Sequence, residues 1–249
     1  MNISHNTVLI TGGGTGIGLC IAEEFVKSGN EVIICGRREE KPKEARTKLP
    51  TIHTRVSDVS NAKDREDLFN WVTANFKDIN ILVNNAGVQR MIDLKKGVAE
   101  LAGHENEVDI NLTSTIQLSA YFIPTFMKQK EAAIINVSSG LAFIPLAMMP
   151  IYCATKAAVH SFSISLRHQL KDTSVKVFEI IPPTVDTELD KGTRALRNMS
   201  YRGIPPSEVG TATMKALSDN QYECAVGQAQ NLVEASRNNL DEQFNRMNR

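Results

Sequence analysis

Apolar positions along the chain follow two alternating rhythms. Short, nearly unbroken runs rich in Val and Ile, such as Val8-Leu9-Ile10, Val32-Ile33-Ile34 and Ala132-Ala133-Ile134-Ile135, are separated by longer stretches with helix-like spacing. Unbroken runs suit strands covered on both faces, and the amphipathic stretches suit crossover helices between them. The pattern predicts strands near 7–11, 31–35, 51–56, 79–84, 132–137, 174–181 and 222–227. It predicts helices near 16–28, 61–76, 99–129, 150–171, 206–219 and 229–239, with a shorter one at 40–48. Ser28-Gly29 is placed to close the first helix, Asn61 to cap the 61–76 helix, and Pro205-Pro206 to open the 206–219 helix. Such alternation implies an α/β fold class: a doubly wound, seven-stranded parallel sheet with helices on both faces.

No repeat or linker interrupts the alternation, so the 249 residues read as one domain. One stretch departs from it. Residues 184–204 lack a sustained period and carry Lys191, Arg194, Arg197 and Arg202; a substrate lid and a solvated surface loop are both open readings.

Charge narrows the function classes. Lys plus Arg balance Asp plus Glu at 28 each, so no net field favours nucleic acid or an anionic membrane. The opening residues carry neither a basic nor a long apolar region, and no later run approaches membrane-spanning length, which predicts a cytoplasmic protein. Cys20, Cys35, Cys153 and Cys224 are scattered, with no CxxC pair and no His at metal-ligand spacing. They read as reduced, mostly buried small hydrophobes, and no metal site is expected.

Directly after the first strand stands Thr11-Gly12-Gly13-Gly14-Thr15-Gly16-Ile17-Gly18, followed by a helix. Glycines permit a sharp turn and close approach to a pyrophosphate, and free N–H groups at a helix N-terminus favour its negative charge. That is dinucleotide-binding chemistry in a Rossmann-type domain, with Gly12, Thr15, Gly16, Ile17 and Gly18 as candidate cofactor contacts. The strict GxGxxG spacing does not fit. Dinucleotide folds that take NAD place an acid at the end of the second strand, whereas this chain has Gly36 followed by Arg37 and Arg38. Loss of the carboxylate and gain of a guanidinium favour NADP(H) over NAD(H), with Arg37 the first choice for the 2′-phosphate and Arg38 the second. The competing reading is two solvated charges opening a polar helix, as Glu39, Glu40 and Lys41 are taken to be.

Tyr152 and Lys156 are four apart at the start of a predicted helix, so both emerge from one face. An ammonium beside a phenol stabilises the phenolate and makes Tyr152 a usable acid or base. Alone, this pair is common, since lysine stems often lie along aromatic rings. Nearby, the fifth strand ends in Ser138-Ser139-Gly140, at the sheet edge where open α/β folds bind ligands.

Spaced TGxxxGIG, the glycine turn resembles that of the short-chain dehydrogenase/reductase family, and the resemblance extends from Thr7 to about Gly227. It implies that Ser139, thirteen residues before Tyr152, is the catalytic serine rather than Ser138. It implies that Asn111 completes the catalytic set with Ser139, Tyr152 and Lys156 by holding a water that links Lys156 to solvent; an Asn bonded to its own backbone is the alternative. Asp58-Val59 matches the family's adenine contact, although an Asp there also suits a turn or cap. Asn84-Asn85-Ala86-Gly87 matches the NNAG motif, with Asn85, Ala86 and Gly87 passing the cofactor. Tyr152 and Lys156 are implied to touch the cofactor as well. After the sixth strand Pro183 replaces the usual glycine, leaving Val185 and Thr187 as neighbours of the carboxamide. A narrower similarity, carried by 182–189 and 150–156, is to the DltE-like subgroup.

These features together imply an NADP(H)-dependent oxidoreductase moving a hydride between nicotinamide and a small carbonyl or alcohol substrate. The alternative is a catalytically silent NADP(H)-binding sensor or scaffold. Leu141, Ala142, Phe143, Ile144, Met148 and Met149 are the expected pocket lining. A homodimer or homotetramer is implied by the resemblance, with Ile116, Leu118, Tyr121, Phe122, Phe126, Phe162 and Leu166 as candidate interface positions.

Overall fold

In the computed structural model, which describes residues 1–102, 106–189 and 203–248, the apolar runs pair side by side. The strands β1 (Thr7–Thr11), β2 (Glu31–Gly36), β3 (His53–Val56), β4 (Ile79–Asn84), β5 (Ala132–Val137), β6 (Val175–Ile181) and β7 (Glu223–Ala225) form one sheet. Its order is β3-β2-β1-β4-β5-β6-β7, and all neighbours are parallel. Between β1 and β4 the winding reverses, which opens a crevice beyond the carboxyl ends of the strands.

Alternate strand residues supply two cores. Val8, Ile10, Ile34 and Val83 face α1 (Gly16–Lys27) and α6 (Pro206–Asp219). Leu9, Ile33, Leu82 and Ile134 face α3 (Ala62–Asn75), α4 (Ser114–Phe126) and α5 (Pro150–Gln169). The remaining helices are α2 (Glu40–Lys48), α7 (Ala229–Asn238) and α8 (Leu240–Met247). Predicted punctuation holds: Gly29 sits at φ 75° just past α1, and the Asn61 side chain accepts from Lys63 and Asp64 to cap α3.

Three expectations need correction. The helix predicted over 99–129 is broken: Val98–Leu101 is a 3₁₀ turn, and a fresh helix starts after Asn106, whose Oδ1 accepts from the Val108 amide at 3.0 Å. It passes through a π-helical turn, Asp109–Thr113, before becoming α4. Asn106 supplies a cap inside a stretch whose pattern predicts continuous helix. The suggested interface residues Leu118, Phe122, Phe126 and Leu166 are buried in the protein's own core, and Tyr121 and Phe162 pack against it; Ile116 alone of that set is exposed. Finally, α8 lies beyond the last predicted element. Among the described residues no helix is long and apolar enough to cross a membrane, and the four cysteines are free, with Cys20 only partly buried.

Candidate active site

The chain leaves β1 through Gly12 at φ 63°, where a Cβ would lie 3.0 Å from the Ala86 backbone. At Gly18 a Cβ would lie 2.4 Å from the Gly12 carbonyl, so α1 can pack against the turn only without a side chain there. Asn85 fastens this arrangement: its Nδ2 donates to the Thr11 and Gly12 carbonyls at 2.9 and 3.2 Å. Thr11 Oγ1 accepts from the Asn85 and Ala86 amides, each at 3.0 Å. No side chain caps the start of α1 and no acid lies in its first turn, which leaves donors facing the crevice. Beneath, Asn84 donates to Ser119 and Asn136, and Asn136 donates to Ser163, tying β4 and β5 to the helices behind them.

At the nucleotide end, a Cβ on Gly36 would meet nothing within 4 Å, so the space an acid would fill is open. Arg37, Arg38 and Lys41 all lie in the wall there. Arg38 pairs with Glu188 at 3.0 Å, while Lys41 pairs with Glu44 at 2.8 Å and approaches Glu188 at 3.9 Å. Sequence reasoning had assigned Lys41 to a solvated helix face. Its orientation comes from packing of its backbone and Cβ 3.1–3.2 Å from the point where a Gly14 Cβ would sit, which has no sequence signature. Asp58 also lines the wall, and its Oδ1 accepts from the Ser60 amide and hydroxyl at 2.9 and 2.7 Å, so the turn reading of this residue holds.

The catalytic candidates converge at the start of α5. Lys156 is 5% exposed; its Nζ donates to the Val137 carbonyl at 2.8 Å and lies 5.8 Å from the centre of the Tyr152 ring. Burial pulls this ammonium down from 10.5 to about 8, and the buried Glu179 carboxylate opposes that shift. The two adjacent serines differ. Ser138 Oγ donates to Glu179 Oε1 at 2.5 Å, whereas Ser139 Oγ accepts from the Leu141 amide at 3.1 Å in the wall of the cleft. Glu179 also meets His160 Nδ1 at 2.8 Å, and that hydrogen bond raises the imidazole's affinity for its proton. Sequence reasoning missed Glu179, although one acid inside the apolar run Val177-Phe178-Glu179-Ile180-Ile181 was a visible signal.

Asn111 sits in the π-helical turn, behind Gly87. Its Oδ1 accepts from the Val88 amide at 2.8 Å, and its Nδ2 donates to the Val88 carbonyl and Thr155 Oγ1 at 2.9 and 3.1 Å. The amide is thus engaged by protein groups.

The glycine turn, the cations after β2, Ser139, Tyr152 and Lys156 border one cleft of about 740 Å³. Of the catalytic and cofactor-binding residues singled out from the sequence, all line it except Gly18, behind the turn, and Asn111. The substrate end departs from expectation. Leu141 and Met149 are in the wall, but Ile144 is fully buried and Phe143 packs on Ile181, Ala229 and Val233; neither these two nor Ala142 and Met148 line the cleft. Leu146, Leu232, Arg246 and Met247 take their place. Helix α8 returns to the site because Asn248 Oδ1 accepts from the Ala147 amide at 2.6 Å and Asn248 Nδ2 donates to the Pro145 carbonyl at 3.1 Å. In the segment 184–204, Val185, Thr187, Glu188 and Leu189 line the cleft; residues 190–202, with the four basic side chains noted above, lie outside the described residues.

The chain is similar to known proteins in sequence and in fold. Residues 6–198 match the family described as short chain dehydrogenase. The chain is 48% identical over 248 residues to the uncharacterized oxidoreductase DltE of Bacillus subtilis (strain 168), covering 100% of this chain and 98% of that one. Among solved structures, a serine dehydrogenase in its closed form, complexed with NADP⁺, is 28% identical with a TM-score of 0.79, over 88% of this chain and 94% of that one. A short chain dehydrogenase from Burkholderia cenocepacia J2315 in complex with NADP is 25% identical with a TM-score of 0.83, over 99% of both chains.

Proposed function

The chain belongs to the short chain dehydrogenase family, and from that premise we propose that it is an NADP(H)-dependent oxidoreductase interconverting a carbonyl compound and its alcohol. The observation that carries this reading is a lysine buried beside the ring of Tyr152, with Ser139 in the same cleft wall. A sensor would need the glycine turn and the basic groups but not this constellation.

The nucleotide end fits the dinucleotide on its own chemistry. The turn at Gly12 excludes side chains, the start of α1 offers uncapped donors, and the open space at Gly36 lies beside Arg37, Arg38 and Lys41, with Glu188 ion-paired to Arg38. The first turn of α1 would hold the pyrophosphate, Arg37 and then Arg38 the 2′-phosphate, and Asp58 and Val59 the adenine. Asn85, Ala86, Gly87, Val185 and Thr187 would border the nicotinamide half. Similar solved proteins in complex with NADP or NADP⁺, at 25 and 28% identity, support a nicotinamide dinucleotide in this cleft. When bound, the nicotinamide supplies or accepts the hydride.

The chain's own residues handle the proton. Near the ring of Tyr152, the Lys156 ammonium stabilises the phenolate, which lowers the cost of proton transfer in either direction. Tyr152 gives its proton to the substrate oxygen during reduction and takes one during oxidation. Ser139 Oγ donates to that same oxygen, whose negative charge grows in the transition state. Asn111, whose side-chain amide is held by Val88 and Thr155, would complete the set by holding a water that links Lys156 to solvent.

We further infer a cytoplasmic homodimer or homotetramer, with the outward Ile116 of α4 and Ile164 of α5 as its candidate contacts. The catalytic reading is tested by assaying aldehydes and ketones with each reduced cofactor. Consumption of NADPH in preference to NADH, dependent on Tyr152, is expected; binding of NADPH without turnover of any carbonyl would favour the silent sensor.

A further inference from the structure

The substrate end of the cleft has a feature that general hydride transfer does not require. Helix α8 brings Met247 against Leu146, Met149, Tyr152 and Cys153, and Asn248 is bonded to the 145–147 backbone. Arg246, immediately before these anchored residues, lies in the wall of the cleft. No acidic side chain among the described residues pairs with it. The acids in that wall, Asp58 and Glu188, belong to the nucleotide end. Met247, next to Arg246 in the chain, packs with the apolar Leu141, Leu146 and Met149 in the cluster that holds Tyr152.

An exposed guanidinium with no partner among the described residues, beside an apolar floor, favours an oxyanion that can accept two parallel hydrogen bonds. Building on the oxidoreductase reading above, we propose that Arg246 recognises the substrate, which is an oxo or hydroxy compound bearing an anionic group, either a carboxylate or a phosphate monoester. The apolar floor accommodates the carbon skeleton between the reacting carbon and the anion. A neutral carbonyl compound of the same length reaches Tyr152 and Ser139 but leaves Arg246 without a partner. Discrimination therefore falls on KM more than on kcat.

The test compares matched carbonyl pairs: acetoacetate against methyl acetoacetate, and acetol phosphate against acetol. In Arg246→Gln, kcat/KM for the preferred acid is expected to fall about tenfold through KM, with the neutral partner within about twofold, the scale of one charge-assisted contact. The Arg246→Lys protein should recover part of the loss, because charge is kept and the fork is not. Whichever pair responds separates carboxylate from phosphate. A ligand-observed NMR titration of the two acids with nucleotide-free protein reads the same contact without turnover and should weaken in the Gln variant. Equal losses for acid and neutral partner, or no change in either, would overturn the assignment while leaving carbonyl reduction intact. Failure to turn over any carbonyl, with acid binding still dependent on Arg246, would instead count against the oxidoreductase reading.

Discussion

Lys156 and Arg38 are both cations in the wall of one cleft, yet Lys156 is 5% exposed and the Arg38 side chain 47%. Lys156 is fixed by the Val137 carbonyl, and burial has moved its proton affinity; Arg38 shares an exposed carboxylate with Lys41. In the proposed mechanism a single buried group at the catalytic end controls a proton, so its removal is not compensated by water. At the nucleotide end several solvated cations share one task, and salt screens each of them. Substitutions should therefore cost far more at one end than at the other.

The sharpest separation is expected for Lys156→Ala, which should lower turnover by about 10³-fold, within the range for losing assisted proton transfer. NADPH affinity measured by fluorescence should fall as well, because the family resemblance implies that Lys156 also touches the cofactor; normal affinity would remove that second role. Ser139→Ala should lower kcat by about 10²-fold with cofactor affinity kept, as for loss of one donor to a developing oxyanion. Ser138→Ala should be much milder, since that hydroxyl is bonded to Glu179. Equal effects of the two serine changes would undo the distinction. Arg37→Asp should weaken NADPH by about tenfold while sparing NADH, the value of one charge-assisted phosphate contact, with the difference shrinking at high salt.

Two effects of pH are smaller. Carbonyl reduction needs Lys156 charged, so its rate should decline as pH rises through about 8; a flat profile across that range would argue against ammonium control. His160 carries a raised folded value from its hydrogen bond to Glu179. Its contribution to stability is fully present below the unfolded value of about 6.5 and is lost as pH rises through the higher folded value. Relative to His160→Gln, the wild-type melting temperature should therefore lose its advantage across that window.

The same contrast explains what was legible in the sequence. Strand runs, the glycine turn and the Tyr152/Lys156 spacing are local, and each was placed within a few residues of where it stands. Asn106 was overlooked because a polar cap inside a long amphipathic stretch resembles an exposed helix face. Lys41 and Arg246 were missed because their roles come from tertiary packing: α2 rests against Gly14, and α8 folds back onto 145–149. Glu179 did leave a trace, a charge within a buried strand, but its partners Ser138 and His160 lie on other elements.

The central claim is that Tyr152 carries the proton, and one paired measurement on Tyr152→Phe addresses it: steady-state carbonyl reduction beside NADPH binding on the same protein. The change removes only a hydroxyl, so NADPH affinity and the melting temperature should stay close to the parent values while turnover falls by about 10² or more. A Phe variant that reduces its best carbonyl substrate at the parent rate would contradict the account.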